Sequence, residues 1–270
     1  LPDKAVLYDI ERIKALGVTI ETGASVTNAK QFSEIRRKYD AVLIATGAQR
    51  EPAKYAIAQA GVEGVLDYLA FMKEHSSGTF RTKRGTLSVI GLGQSALDTA
   101  RVAVRAGYSK VTLVYPRTRE EFQVFPLDIE TAISEGVEVL FQTKVLSVEQ
   151  TNGKVTGITC VKMDATVPDA EGRRNIIEQK NSEFVIQTDA VIPVEPHYPD
   201  ISFLPEKTKC EISQWGYLKV NPETLGTGEE GIFAAGDVVT GPKSVIEAMA
   251  AGRRAAKSIQ CYLEDRIYFR

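Results

Sequence analysis

The stretch SVIGLGQSALDTA, residues 88 to 100, constrains the fold more than any other. A short apolar run, TLSVI, leads into it, and the amphipathic run QSALDTARVAVRAG leads out and stops at Gly107. At their junction Gly91-Leu92-Gly93-Gln94-Ser95-Ala96 fits the spacing G-x-G-x-x-A. Gly91 permits a tight turn, Gly93 lets the backbone approach a pyrophosphate, and Ala96 permits close packing of helix on strand. The free N–H groups of the helix start, at Gln94 and Ser95, face the phosphates. Downstream, KVTLVY reads as a second strand, PLDIETAISEG as a helix and VEVLF as a third strand. This βαβαβ run with short connections predicts right-handed crossovers and a doubly wound α/β sheet.

The end of the second strand bears on which dinucleotide binds. An NAD site usually carries an acid there that bonds the adenine-side ribose. Here the strand ends Val114-Tyr115-Pro116-Arg117-Thr118-Arg119, with no acid at that point. The guanidinium groups of Arg117 and Arg119 can pair with a 2′-phosphate through charge-assisted bonds, so NADP is favoured over NAD. The alternative is two solvated loop arginines beside Glu120 and Glu121.

On either side of this core lie the pieces of a second site. DKAVLYDIERIKAL puts Val6, Ile10, Ile13 and Leu16 on one helical face, VTIETGASV reads as a strand and turn, and FSEIRRKY as a short helix. AVLIATG, residues 41 to 47, suits a strand buried on both faces. GVEGVLDYLAFMKEH is a further helix, and SSGTFRTKRG a polar linker. Asn152-Gly153 between alternating runs predicts a two-residue hairpin, and EFVIQTDAVIPV supplies two short strands. After an irregular stretch, GIFAAGD returns to a buried strand and SVIEAMAAGRRAAKSIQCYL to a helix. Thr46-Gly47 and Gly236-Asp237 thus end two buried strands, at the edge where ligands bind. Asp237 can accept from a ribityl or ribose hydroxyl, and the first amides of the helix after Ser244, near Val245, can meet a developing negative charge.

The remaining residues narrow the function classes. Lys plus Arg, 33, nearly balances Asp plus Glu, 35, so no basic field recruits nucleic acid or an anionic membrane. No apolar run is long enough to span a bilayer, and the opening LPDKAVLYDIERIK is no signal peptide. The lack of an initiating Met predicts a processed or cloned piece. Cys160, Cys210 and Cys261 lie far apart, as expected of reduced, mostly buried thiols in a cytoplasmic protein rather than a redox pair or a metal site. His75 and His197 are isolated and read as surface or loop residues.

Taken in order, AVLIATGA, SVIGLGQSALDTARVA, VTLVYPRTREE, DAVIPV and GIFAAGDVVTGPKSVIEAMAAGRRAAKSI resemble the two-dinucleotide-binding flavoproteins. Within them the spacing is similar to the branch of the glutamate synthase small (beta) subunit, over nearly the whole chain. The resemblance implies an α/β architecture in which an NAD(P)-binding Rossmann-like domain is inserted into a partial FAD-binding one. It implies segments 1–80 and 196–270 on the FAD side, with 81–195 as the NAD(P)H domain. Gly91, Gly93 and Ala96 match that family's NADPH fingerprint, while Thr46, Gly47, Gly236, Asp237, Ser244 and Val245 fall on its flavin side. FAD is implied in the complete protein, and so is an iron–sulfur partner subunit or N-terminal region upstream of this chain. Two departures bear on function: Pro116 stands where the family usually has an arginine, and Val194-Glu195-Pro196-His197 replaces small residues at a crossing between the domains.

The activity implied is electron transfer from NAD(P)H through FAD to iron–sulfur centres. Hydride transfer between stacked rings needs proximity more than a side-chain acid or base, so no catalytic residue is assigned. The alternatives are a nicotinamide-nucleotide-binding module that does not retain FAD, and a single-cofactor dehydrogenase for which His197 is the sole acid–base candidate.

Overall fold

The computed structural model describes residues 3–51, 56–58, 61–78, 84–91, 93–122, 124–166, 175–195 and 197–264. The chain divides into an outer unit, Leu1–Thr46 with Pro199–Arg270, and an inner unit, Gly47–Tyr198. The outer unit opens with α1 (Asp3–Ala15), which ends before Gly17 at φ 90°. Its expected apolar face is largely exposed: Val6, Ile13 and Leu16 are 41%, 45% and 83% accessible. Residues 18–26 form no strand, in contrast to the reading of VTIETGASV. Next comes α2 (Ala29–Lys38), capped by the Asn28 side chain accepting from the Gln31 amide, and then β1 (Val42–Ile44).

The inner unit begins at Gly47, ahead of residue 81, where the sequence reading starts the NAD(P)H domain. The reason is long-range pairing. The Leu66 amide donates to the Val191 carbonyl at 2.9 Å, and Phe71 of α3 (Tyr68–Ser76) packs in one core with Leu97. The sheet is built from β2 (Thr86–Ile90), α4 (Gln94–Arg105), β3 (Lys110–Val114), α5 (Pro126–Ser134) and β4 (Val137–Leu140). A hairpin of β5 (Thr143–Thr151) and β6 (Lys154–Ala165) follows, turning at Asn152 and Gly153 with φ 53° and 78°. Then come β7 (Ile176–Glu178), β8 (Phe184–Gln187) and β9 (Ala190–Pro193).

The parallel sheet runs β4-β3-β2-β9, so its first strand, β2, lies inside. Leu87, Val89, Leu113 and Ile192 face α3, α4 and α5, while Val114 and Val191 face Val145 and Ile158 of the hairpin layer. That is why TLSVI is buried on both faces, with Leu87 and Val89 towards the helices and Ile90 towards the hairpin layer. One face of the expected doubly wound sheet is therefore covered by β5, β6 and β8, antiparallel strands, rather than by helices. Cys160 sits inside this layer, and burial pushes its thiol up to about 11.

The chain returns to the outer unit with β10 (Ile232–Ala234), α6 (Asp237–Thr240) and α7 (Val245–Leu263). β10 pairs in parallel with β1, and Ile44, Ile232 and Val238 share a core with Phe32 and Leu218. No helix among the described residues is long and apolar enough to cross a membrane.

In the inner unit Arg101 on α4 makes two bonds to Glu135, 2.9 and 2.7 Å, and Arg105 adds a third at 2.8 Å. The Arg101 bonds, then Arg105, hold the Glu135 carboxyl down to about 2. A depressed carboxyl stabilises the fold above its unfolded value near 4.5, and that contribution fades as pH falls through the folded value. Glu135→Gln should lower denaturant stability at pH 7 and flatten the acid-induced loss between these two values. Denaturation midpoints measured across that range check it; an unaltered profile would contradict the role.

Candidate functional site

At the carboxyl edge of β2 the reason for each glycine differs from the sequence reading in one respect. Gly91 does not adopt a left-handed conformation. A Cβ placed on it would lie 2.7 Å from the Ala96 Cβ and 2.9 Å from the Val194 Cβ. Gly91 is thus demanded by the close approach of α4 and the end of β9, and Ala96 is the small partner of that approach. Gly93 is the reverse case. Its backbone is extended, at φ −175°, and a Cβ there would meet nothing within 4 Å. The space over Gly93 is open for a ligand, and Leu92 lies outside the described residues.

Gly93 is the N-cap of α4 and supplies no side-chain acceptor. The Ala96 amide donates back to the Gly93 carbonyl at 3.0 Å, which leaves the Gln94 and Ser95 amides as the donors of the helix end. Gln94 turns its side chain along the helix, to Asp98 at 3.1 Å. The parallel register Ile90↔Val114 brings the end of β3 beside this turn. Arg117 follows that end, 3.2 Å from Glu121, and Arg119 lies 3.4 Å from Glu130. Both arginines thus follow the end of β3, each with a carboxylate partner. Thr118 also points its amide and hydroxyl at Glu121, at 3.2 and 3.1 Å, a contact the sequence reading missed.

In the outer unit the ends of β1 and β10 leave the same sheet edge. Ile44 pairs with Ala234, and the Ala235 amide donates to the Ile44 carbonyl at 3.0 Å. Thr46 follows β1, and Gly47 turns the chain at φ 72°. Gly236, at φ 76° and ψ −153°, has no Cβ obstruction around it. Asp237 accepts from the Lys243 amide at 3.3 Å, which ties the strand end to the start of α7. A cleft of about 230 Å³ opens here, lined by Gly236, Asp237, Lys243, Glu247, Ala251 and Arg254.

The start of α7 carries a capping box that Ser244-x-x-Glu247 could have revealed. Ser244 Oγ accepts from the Glu247 amide at 3.3 Å, and the Glu247 carboxylate accepts from the Ser244 hydroxyl and amide at 2.7 and 3.0 Å. The Ser244 bonds, with Lys243 nearby, hold the Glu247 carboxyl below its usual range. Val245 is 71% exposed, and its amide stands in the first turn, outside the box.

His197 is no surface residue: its side chain is fully buried. Nε2 lies 2.5 Å from Asp67 Oδ2 and Nδ1 lies 3.2 Å from the Glu195 carbonyl, with the edge of Tyr68 against the ring. The other oxygen of Asp67 caps α3 through the Ala70 amide at 2.7 Å. The ring thus fastens the segment after β9 to the inner unit, and these contacts explain its burial without acid–base chemistry.

Compared with known proteins, residues 8–252 match the family described as pyridine nucleotide-disulphide oxidoreductase, and the chain belongs to it. It is 35% identical, over 98% of its length, to the NADP(+)-dependent formate dehydrogenase subunit beta of Moorella thermoacetica. It is 34% identical over 98% to the NADPH-Fe(3+) oxidoreductase subunit beta of Geobacter sulfurreducens, and 31% over 94% to the glutamate synthase [NADPH] small chain of Azospirillum brasilense. The chain spans 38%, 43% and 56% of these relatives' own lengths. Among solved structures it is similar to Mycobacterium tuberculosis FprA in complex with NADPH, with TM-score 0.63, 16% identity, and coverage of 86% of this chain and 65% of that one. Thioredoxin reductase from T. acidophilum gives 0.59 and 20%, covering 83% and 66%. These likenesses show the Rossmann-type α/β fold implied by the sequence. The family description names a pyridine nucleotide, and the names of these three relatives contain NADP(+) or NADPH.

The two glycines of the turn should separate in a stability measurement. Gly91→Ala places a methyl on Ala96 and Val194 and should cost about 1–3 kcal/mol. Gly93→Ala, in extended backbone with open space, should stay within about 0.5 kcal/mol of the parent. Denaturant melts of both variants check this; equal losses would contradict the two different reasons given.

Proposed function

We propose that this chain is the nucleotide-binding and flavin-side part of an NAD(P)H-dependent FAD oxidoreductase that delivers electrons to iron–sulfur centres of a partner or an upstream region. The observation that carries the reading is the turn at β2. An uncapped helix start, a Cβ-free opening at Gly93 and two arginines at the adjacent strand end form one edge suited to a pyrophosphate and a 2′-phosphate. The amides of Gln94 and Ser95 would hold the pyrophosphate, and Arg117 and Arg119 the adenosine 2′-phosphate. The names of the relatives, three of which contain NADP(+) or NADPH, favour the phosphorylated nucleotide, and two are beta subunits.

The outer unit fits a flavin by its donor set. Asp237 beside the positive-φ Gly236 would accept from a ribityl hydroxyl, Thr46 would line the same edge, and the first amides of α7 near Val245 would face the pyrimidine oxygens. When bound, FAD supplies the acceptor for nicotinamide hydride and the one-electron steps towards an iron–sulfur partner. The work of the chain is to bind and orient the two rings. Glutamate synthase-like specificity rests on one branch of relatives, and its amide-transfer chemistry would belong to another subunit.

A second reading is favoured by one observation. Among the described residues the outer unit contributes a two-stranded sheet, with no glycine turn of its own for the FAD pyrophosphate. On that reading the chain alone binds nicotinamide nucleotide and releases FAD. Visible absorption of the purified chain mixed with FAD, freed of excess and then given NADPH without oxygen, decides between them. Retained flavin bands that bleach with NADPH are the expected result. Loss of all flavin on desalting, with NADPH binding intact, would contradict the enzyme reading for this chain and establish the second.

A further inference from the structure

The loop after β3 already holds an anion, its own. Three donors of Arg117 and Thr118 converge on the Glu121 side chain: the Arg117 guanidinium at 3.2 Å, the Thr118 amide at 3.2 Å and the Thr118 hydroxyl at 3.1 Å. A backbone amide, a hydroxyl and a guanidinium are the set a phosphate monoester would use. Glu121 is fixed from behind, because the buried Tyr115 donates its hydroxyl to the Glu121 carbonyl at 2.8 Å. Tyr115 is packed in turn against Phe122, with ring centroids 4.5 Å apart. Burial works against the Glu121 charge, but the Thr118 bonds and Arg117 outweigh it and hold the carboxyl below its usual range. The carboxylate is thus a resident anion on a rigid backbone, with 23% of its side chain reachable by solvent.

We propose that Glu121 is a specificity-determining residue: its carboxylate competes with the 2′-phosphate of NADPH for Arg117 and Thr118, and so limits the preference for NADPH over NADH. This rests on the placement of the nucleotide at this edge given above. A 2′-phosphate must swing the Glu121 side chain off these donors or bind beside a like charge, and either costs affinity. NADH carries no such group, and its ribose hydroxyl gains nothing from removal of the Glu121 charge. The Pro116 that stands before Arg117 removes one donor from the loop, which gives the internal carboxylate more weight.

The test is Glu121→Gln, which keeps an oxygen acceptor for Thr118 while removing the charge. Dissociation constants for NADPH, NADH and adenosine 2′,5′-bisphosphate are measured for parent and variant by calorimetry. The expected result is tighter binding of NADPH and the bisphosphate by about fivefold or more, with no gain for NADH. In the background of Arg117→Ala the same change should bring a smaller gain, because one of the contested donors is gone while the Thr118 donors remain. NADPH binding that is unchanged or weaker in Glu121→Gln, or a gain undiminished by the loss of Arg117, would overturn the proposal while leaving the nucleotide site in place. A parent chain that binds none of the three ligands would overturn the nucleotide reading, and this proposal with it.

Discussion

The contact on which the rest depends is the approach of α4 to the end of β2 and β9. With no Cβ on Gly91 and a methyl alone on Ala96, the first turn of α4 reaches the strand end and Val194. Any larger group would push the helix back and turn its N-terminus away from the sheet edge. The approach therefore converts a packing constraint into a chemical one. It sets the free amides of Gln94 and Ser95 at the carboxyl edge, beside the strand end that carries Arg117 and Arg119.

Both candidate edges share a second property: the chain supplies its own carboxylate to the local donors. Glu121 occupies Thr118 and Arg117 in the inner unit, and Glu247 occupies Ser244 at the start of α7 in the outer one. Without ligand these carboxylates keep the donors satisfied and the loops ordered. In the inner unit they also mean that an incoming phosphate would meet donors already engaged. Net affinity then depends on the difference between two anions rather than on the donors alone.

Much of the scaffold was legible in the sequence because its signals are local. The glycine turn at 91–96, the hairpin at Asn152-Gly153 and the buried runs TLSVI and KVTLV all appear where expected. What was not legible depends on distant partners. The inner unit starts at Gly47 because Leu66 pairs with Val191, a separation no local pattern carries. The antiparallel layer covers a face that the βαβ pattern assigned to helices. His197 lies in a loop, as read, but its burial was not legible because its partner, Asp67, is 130 positions away. At the candidate site, residue types and order marked the ends of β2 and β3, while the pairing of each arginine with Glu121 or Glu130 needed coordinates.

The central claim is that the edge formed by Gly91–Ala96 and Arg117–Glu121 binds the nucleotide. Hydrogen–deuterium exchange of the purified chain, with and without saturating NADPH, tests it most directly. The account predicts slowed exchange at the amides of Gln94, Ser95 and Thr118, with little change in β5 and β6. Protection confined to other segments while NADPH is bound would contradict it.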